Sequence, residues 1–231
     1  MSSFIYTLAK MVNIEDPEMN ALNMLEWCTL ARQMEKCPHC DEPLDIELDM
    51  IKKARTALCI HLMMEIKDFS STLGYPMYVS GAAGGSYIAY LMELSPFNPA
   101  PPFAYCPDCE RVIESIREKS YICSQCKEEM IVDGFNLPPF SDFDERNSEA
   151  FEITLAPEVK EKIIDYLNET FYYFQIDDKT ARLLLEKIPT DPRLSKIKEI
   201  GDPVCDFEIN AKRVRTYQEL MEQYISTLAG F

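Results

Sequence analysis

Between Asp45 and Thr72 the apolar residues Ile51, Ala54, Leu58, Leu62, Ile66 and Phe69 recur at spacings of three and four, which places them on one helix face. The pattern predicts a single long core helix. Gly74 follows as a natural C-terminal stop, and Tyr75-Pro-Met-Tyr-Val79 predicts a short strand. Upstream, the capping side chain of Asp16, then Pro17 and Glu18, open a helix that runs to about Lys36. Beyond a small-residue turn, Ser80 to Ser86, a further helix starts near Tyr87. The segment 134–148, rich in Pro, Asp, Asn and Ser, is a connecting loop. Phe151 to Leu155 then predicts a strand, and Ala156-Pro157-Glu158 starts an amphipathic helix reaching about Phe174. A helix over Asp178 to Ile188 turns Ala181, Leu184, Leu185 and Ile188 inward, and Val204 to Ile209 is another strand. Thr216-Tyr-Gln-Glu219 has the form of a capping box opening the last helix. These elements describe an α+β fold, a small mixed sheet with several packed helices.

Composition narrows the surroundings more than the shape. With 231 residues the chain can bury one sizeable core or two small ones. No apolar run approaches membrane-spanning length, and Met1 to Lys10 lack the basic start and apolar stretch of a signal peptide, so the expected compartment is the cytoplasm and no membrane partner is expected. Lysine plus arginine number 23 against 39 acids, a formal charge of −16 with a pI near 4.6. A surface of that sign repels phosphate and disfavours DNA binding; Lys212-Arg213-Val214-Arg215 is the one compact basic cluster. The acidity confers solubility, or it mimics nucleic acid towards a basic protein partner.

The cysteines carry the clearest chemistry. Cys106-Pro-Asp-Cys109 and Cys123-Ser-Gln-Cys126 are two CxxC knuckles, each presenting two thiolates from one tight turn. Together they supply the four sulfurs of a closed tetrahedral zinc site, an inserted four-cysteine module over 103–133 with no open position for water. The alternatives are two reducible disulfides or four unrelated thiols. Nine cysteines in all suit a reducing compartment. A third pair, Cys37-Pro-His-Cys40, resembles the redox motif of thioredoxin-like proteins, but it follows a helix where that motif begins one. It is a plain turn or a second half-site, completed from Cys28, Cys59, His39, His61 or another chain. His61, beside the apolar stripe, reads as a structural histidine.

Gly81, Gly84, Gly85 and Ser86 lie in the turn between strand and helix, where backbone amides form a phosphate-binding turn. The glycines equally allow strand and helix to pack closely, and no lysine or arginine lies in the turn.

The run Gly81-Ala-Ala-Gly-Gly-Ser86, its helix, Asn98-Pro-Ala-Pro-Pro102, Tyr105 to Cys109, Cys123 to Cys126 and Asp133-Gly134 occur in an order and spacing that resembles the alpha subunit of DNA polymerase III of the Gram-positive PolC type. The likeness continues through Phe151 to Leu155, Asp178 to Ala181 and Arg215 to Leu220. It implies a palm-like α+β core over 45–102 and 134–231, an N-terminal helical segment 1–44 with its CxxC turn, and structural zinc in the insertion 103–133. It also implies that the catalytic machinery is dismantled. Glu152 and Thr154 stand where the family's strand has its Asp-x-Asp pair, and Ser80 stands where its phosphate turn has an arginine. The expectation is a catalytically degenerate relative that binds replication machinery or a basic nucleic-acid-binding protein. Two alternatives remain. One is residual polymerase or nucleotidyltransferase activity on magnesium held by Asp142, Asp144 and Glu152, although Asp142-Phe-Asp144 also suits a solvated loop. The other is a plain zinc-stabilised interaction domain.

Overall fold

The computed structural model describes residues 17–36, 41–118, 120–138, 152–170, 188–197 and 216–230. The chain runs α1 (Pro17–Lys36), α2 (Asp41–Ala54), α3 (Ala57–Thr72), β1 (Met77–Val79), α4 (Tyr87–Leu91), β2 (Phe103–Cys106), β3 (Arg111–Glu114), β4 (Ile131–Asp133), β5 (Ile153–Leu155), α5 (Lys160–Thr170) and α6 (Tyr217–Leu228). The expected α+β class holds. Its strands form two small sheets. β1 and β5 pair antiparallel, with Tyr78 opposite Thr154, and a parallel bridge from Leu155 to Thr190 extends the pair. The second sheet, in the order β3-β2-β4, is antiparallel throughout. The expected helix over 178–188 and strand over 204–209 lie outside the described residues, Ile188 excepted.

The long helix expected from Asp45 to Thr72 is two helices. Arg55 takes a left-handed backbone (φ 55°), and the Thr56 amide closes the end of α2 on the Ile51 carbonyl at 3.2 Å. The helix restarts because Glu18 of α1 offers its carboxylate to the amides of Ala57 (2.7 Å) and Leu58 (3.1 Å). A left-handed arginine costs about 1–2 kcal/mol. Two charge-assisted bonds at a helix start offset it. The periodic stripe runs through the break unaware of it, since spacing cannot register a partner on another helix. The stripe is also off-centre: Ile51 and Ile66 are buried, but Ala54, Leu58, Leu62 and Phe69 are half-buried, while Ala57, Ile60, His61, Met63 and Ser70 face the core beside Ile66. The stop at Gly74 is as expected. Its φ is 80°, and the amides of Gly74 and Tyr75 reach back to Ser71 (3.0 Å) and Ser70 (3.1 Å), the two bonds of a Schellman end.

One apolar cluster joins α1, α2, α3, β1, α4, β5, α5 and α6. Phe97 is fully buried at its centre, with Phe135, Tyr217 and Tyr224 packed edge-on at ring distances of 5.0, 6.2 and 5.5 Å. The final helix begins on the expected capping box, Thr216 and Glu219 each bonding the other's amide. Its Tyr217 hydroxyl donates to the Val79 carbonyl at 2.6 Å, which ties α6 to β1. The β2–β3–β4 sheet holds a second, separate cluster.

Candidate metal centre

The chain leaves the helical core through Asn98-Pro-Ala-Pro-Pro102 and returns through Asp133 to Leu137, and the two passes bind each other. The amides of Phe135, Asn136 and Leu137 donate to the carbonyls of Asn98 (2.9 Å), Ala100 (2.8 Å) and Pro99 (3.1 Å). The prolines have no amide to donate, so they act here as acceptors alone. Asn98 is fully buried and its amide nitrogen donates to Asp133 Oδ2 at 2.7 Å; the Tyr90 hydroxyl donates to the same oxygen at 3.0 Å. Gly134 has φ 99°, and a Cβ there would lie 2.6 Å from the Pro101 carbonyl oxygen, so only glycine fits.

On this stem β2 pairs with β3 and β4, and the two-residue period of the strands divides the sheet's faces. Ala104 and Cys106 turn inward with Ile113 and Val132 opposite Ala104. The knuckle Cys106–Cys109 follows β2, and Cys123–Cys126 lies in the turn before β4. Each ends on a left-handed residue, Glu110 (φ 53°) and Lys127 (φ 69°), so the two turns repeat one another. The second is closed by Lys127 N to Cys123 O at 3.0 Å and Cys123 N to Glu128 O at 2.8 Å.

These turns bring all four Sγ atoms within 4.8 Å of one another. Around a tetrahedral ion with metal–sulfur bonds of about 2.3 Å, sulfurs sit about 3.8 Å apart. Cys106 and Cys126, at 3.4 Å, are far outside the roughly 2.05 Å of a disulfide. The four cysteines can therefore hold one metal ion, and with every donor a sulfur the site is closed. Cys106 and Cys123 are buried, Cys109 and Cys126 half-buried. The amides of Cys126 and then Gln125 hold the Cys123 thiol down to about 6. Burial, followed by the neighbouring sulfurs, pushes Cys109 up to about 12. A cation at the centre removes that conflict, because it holds its ligands as thiolates.

The remaining expected residues do not converge here. Cys37, Cys40, Asp142 and Asp144 lie outside the described residues. Cys28 is buried and Cys59 exposed. Burial holds the His61 imidazole down to about 4, as befits a structural histidine. Among the described residues, no second group of metal-binding side chains gathers. Glu152 is exposed at the head of β5, and its carbonyl accepts the amides of Ser80 (2.8 Å) and Gly81 (3.1 Å), so Glu152 and Ser80 are neighbours.

The turn that follows is packed from both sides by the chain's own groups. Tyr217 lies across the glycines; a Cβ on Gly84 would meet its ring at 2.2 Å, and one on Gly85 would meet it at 3.3 Å. Gly84 N donates to Gly81 O, and Ser86, buried, caps α4 by accepting the Ala89 amide at 3.0 Å. The first amides of α4, on Tyr87 (3.0 Å) and Ile88 (2.9 Å), donate to the two oxygens of Glu47. Glu47 is almost wholly buried, and desolvation, partly offset by those bonds, pushes its carboxyl up to about 7. The partners of Glu18 and Asp133, and Glu47 altogether, were not expected from the sequence. For Glu47 a signal was present: it falls three residues after Leu44 and four before Ile51, an acid in line with two buried leucine-type positions.

No protein-family model matches the chain, and no curated protein matches it in sequence. Among the described residues no helix is long and apolar enough to cross a membrane.

Proposed function

We propose that the chain is a zinc-stabilised, catalytically degenerate relative of the PolC-type DNA polymerase III alpha subunit, and that it acts by binding a protein partner. The observation that carries this reading is the filled turn. Where the resemblance puts nucleotide phosphate, Glu47 occupies the helix amides and Tyr217 covers Gly84 and Gly85. A carboxylate at that place also repels a triphosphate. The partner is replication machinery or a basic nucleic-acid-binding protein, which a surface of charge −16 attracts.

Zinc is the ion proposed for the four sulfurs, because a closed all-thiolate tetrahedron suits it and gives it a structural role. Metal analysis of the purified chain tests that assignment. A primer-extension assay with magnesium or manganese tests the loss of activity, and no incorporation is expected. Incorporation that disappears in Asp142→Ala would overturn the reading in favour of a working polymerase using Asp142, Asp144 and Glu152.

A further inference from the structure

The inner face of the β3-β2-β4 sheet carries the sulfurs; its outer face has no part in metal binding. Register places Tyr105 on that face with Val112 beside it on β3 and Ile131 beside it on β4. The bridge between Ile122 and Glu129 extends the same face by one more pair. Ile122 and Ile131 are 59% and 55% exposed, and they stand next to half-buried Tyr105 and Val112. The result is an apolar row, Ile122, Ile131, Tyr105 and Val112, on a module whose own core buries five residues. Contiguous apolar surface of this kind marks an interaction site more often than scattered single residues do.

The charges at its border select the occupant. Glu129 and Glu114 are exposed on this face by the same register. Arg111 belongs to the opposite face, paired with Cys106, and its guanidinium bonds Ser124. Lys127 turns back to the Ser124 carbonyl at 2.8 Å. Arg111 and Lys127 are therefore engaged with Ser124 and turned away from the acids around the row. We infer that the outer face of this sheet is the docking surface for the partner, and that it takes a protein segment whose apolar side chains are flanked by lysine or arginine. A second copy of the chain is a poor occupant, since it would set glutamates against glutamates on a body already at −16. The inference rests on the partner-binding reading and adds where, and what, the chain binds.

The experiment selects random peptides on the full zinc-loaded chain and compares wild type with Ile122→Ser/Ile131→Ser and with Glu114→Lys/Glu129→Lys. All four positions are exposed, so the variants should keep their zinc content and helix signal. Peptides combining apolar residues with lysine or arginine are expected to enrich, and each double variant should weaken them by roughly tenfold or more. Raising the salt should weaken the wild-type complex as well. Enrichment of such peptides that bind the variants equally well overturns this surface and leaves partner binding standing. Absence of enrichment, or enrichment of acidic peptides, counts against both. Concentration-dependent dimerisation abolished by Ile122→Ser/Ile131→Ser makes the occupant a second copy and overturns the assignment.

Discussion

The helical core and the cysteine module solve the same problem with opposite means. The core draws apolar side chains from eight of the secondary-structure elements and packs Phe97 among three aromatic rings. Among the described residues the module's own apolar cluster holds just Ala104, Cys106, Ile116, Cys123 and Met130, and two of those five belong to the four-cysteine group. So few residues cannot balance the ordering entropy of three strands and two left-handed turns. An ion bound by four sulfurs can. One region is thus held by burial, and the other has four sulfurs placed where an ion could hold it, the two being joined through Asn98, Asp133 and Gly134.

The sharpest test of that contrast is removal of the metal. Chelation, or Cys106→Ser, should abolish the amide protection of residues 103–133 in hydrogen exchange while the helical circular dichroism persists. Structural zinc contributes roughly 10–16 kcal/mol in isolated finger peptides, more than this module's core can replace. Collapse of both regions together would show that the stem makes them one cooperative unit. Unchanged protection would show that the module needs no ion.

A smaller effect runs the other way, through the core alone. Gly84→Ala places a methyl 2.2 Å from the Tyr217 ring, so the ring must leave its bond to Val79 and α6 must shift. A loss of about 2–4 kcal/mol in urea unfolding is expected, with the module's metal content unchanged.

Two buried titrating groups give the core a hidden pH dependence. Glu47, raised to about 7 in the fold against an ordinary 4.5, contributes a term that is fully present below about 4.5 and is lost as pH rises through 7. His61, lowered to about 4 against 6.5, contributes a term present above 6.5 and lost as pH falls through 4. Each is worth about 3 kcal/mol and their signs oppose, so they largely cancel between pH 4.5 and 6.5. His61→Gln should therefore leave a variant whose stability relative to wild type improves as pH falls across that window. Glu47→Gln should show the reverse slope. Denaturant midpoints at pH 5 and pH 7 read both, and parallel pH profiles for wild type and variants would remove the two groups from the account.

The smallest effect is at the last helix. Thr216→Ala deletes the capping bond to Glu219 and should cost about 1 kcal/mol, without altering the module.

Much of this was legible in the chain because it is local. The capping box at Thr216 and the Schellman stop at Gly74 need only neighbouring residues, and both appear as read. The two CxxC knuckles are likewise local turns, and their spacing announced four convergent sulfurs. What escaped were the hydrogen bonds and packing contacts between distant elements. The division of α2 from α3 depends on Glu18, some forty residues away, and periodicity carries no trace of it. Glu47 could be noticed as an acid in an apolar register, but its partners on Tyr87 and Ile88 could not. The glycines of the turn allowed phosphate or close packing alike, and the described fold puts Tyr217 against them.

Short-range pattern was enough to place the stop at Gly74, the capping box at Thr216 and the four cysteines that meet. Those follow from backbone preference and short-range spacing. Tertiary structure alone decided what fills the glycine turn, which carboxylates cap which helices, and that Tyr105, Val112, Ile131 and Ile122 form one continuous outer face. The physical reason is that burial and hydrogen-bond satisfaction are settled between elements, and only the folded chain brings those elements together.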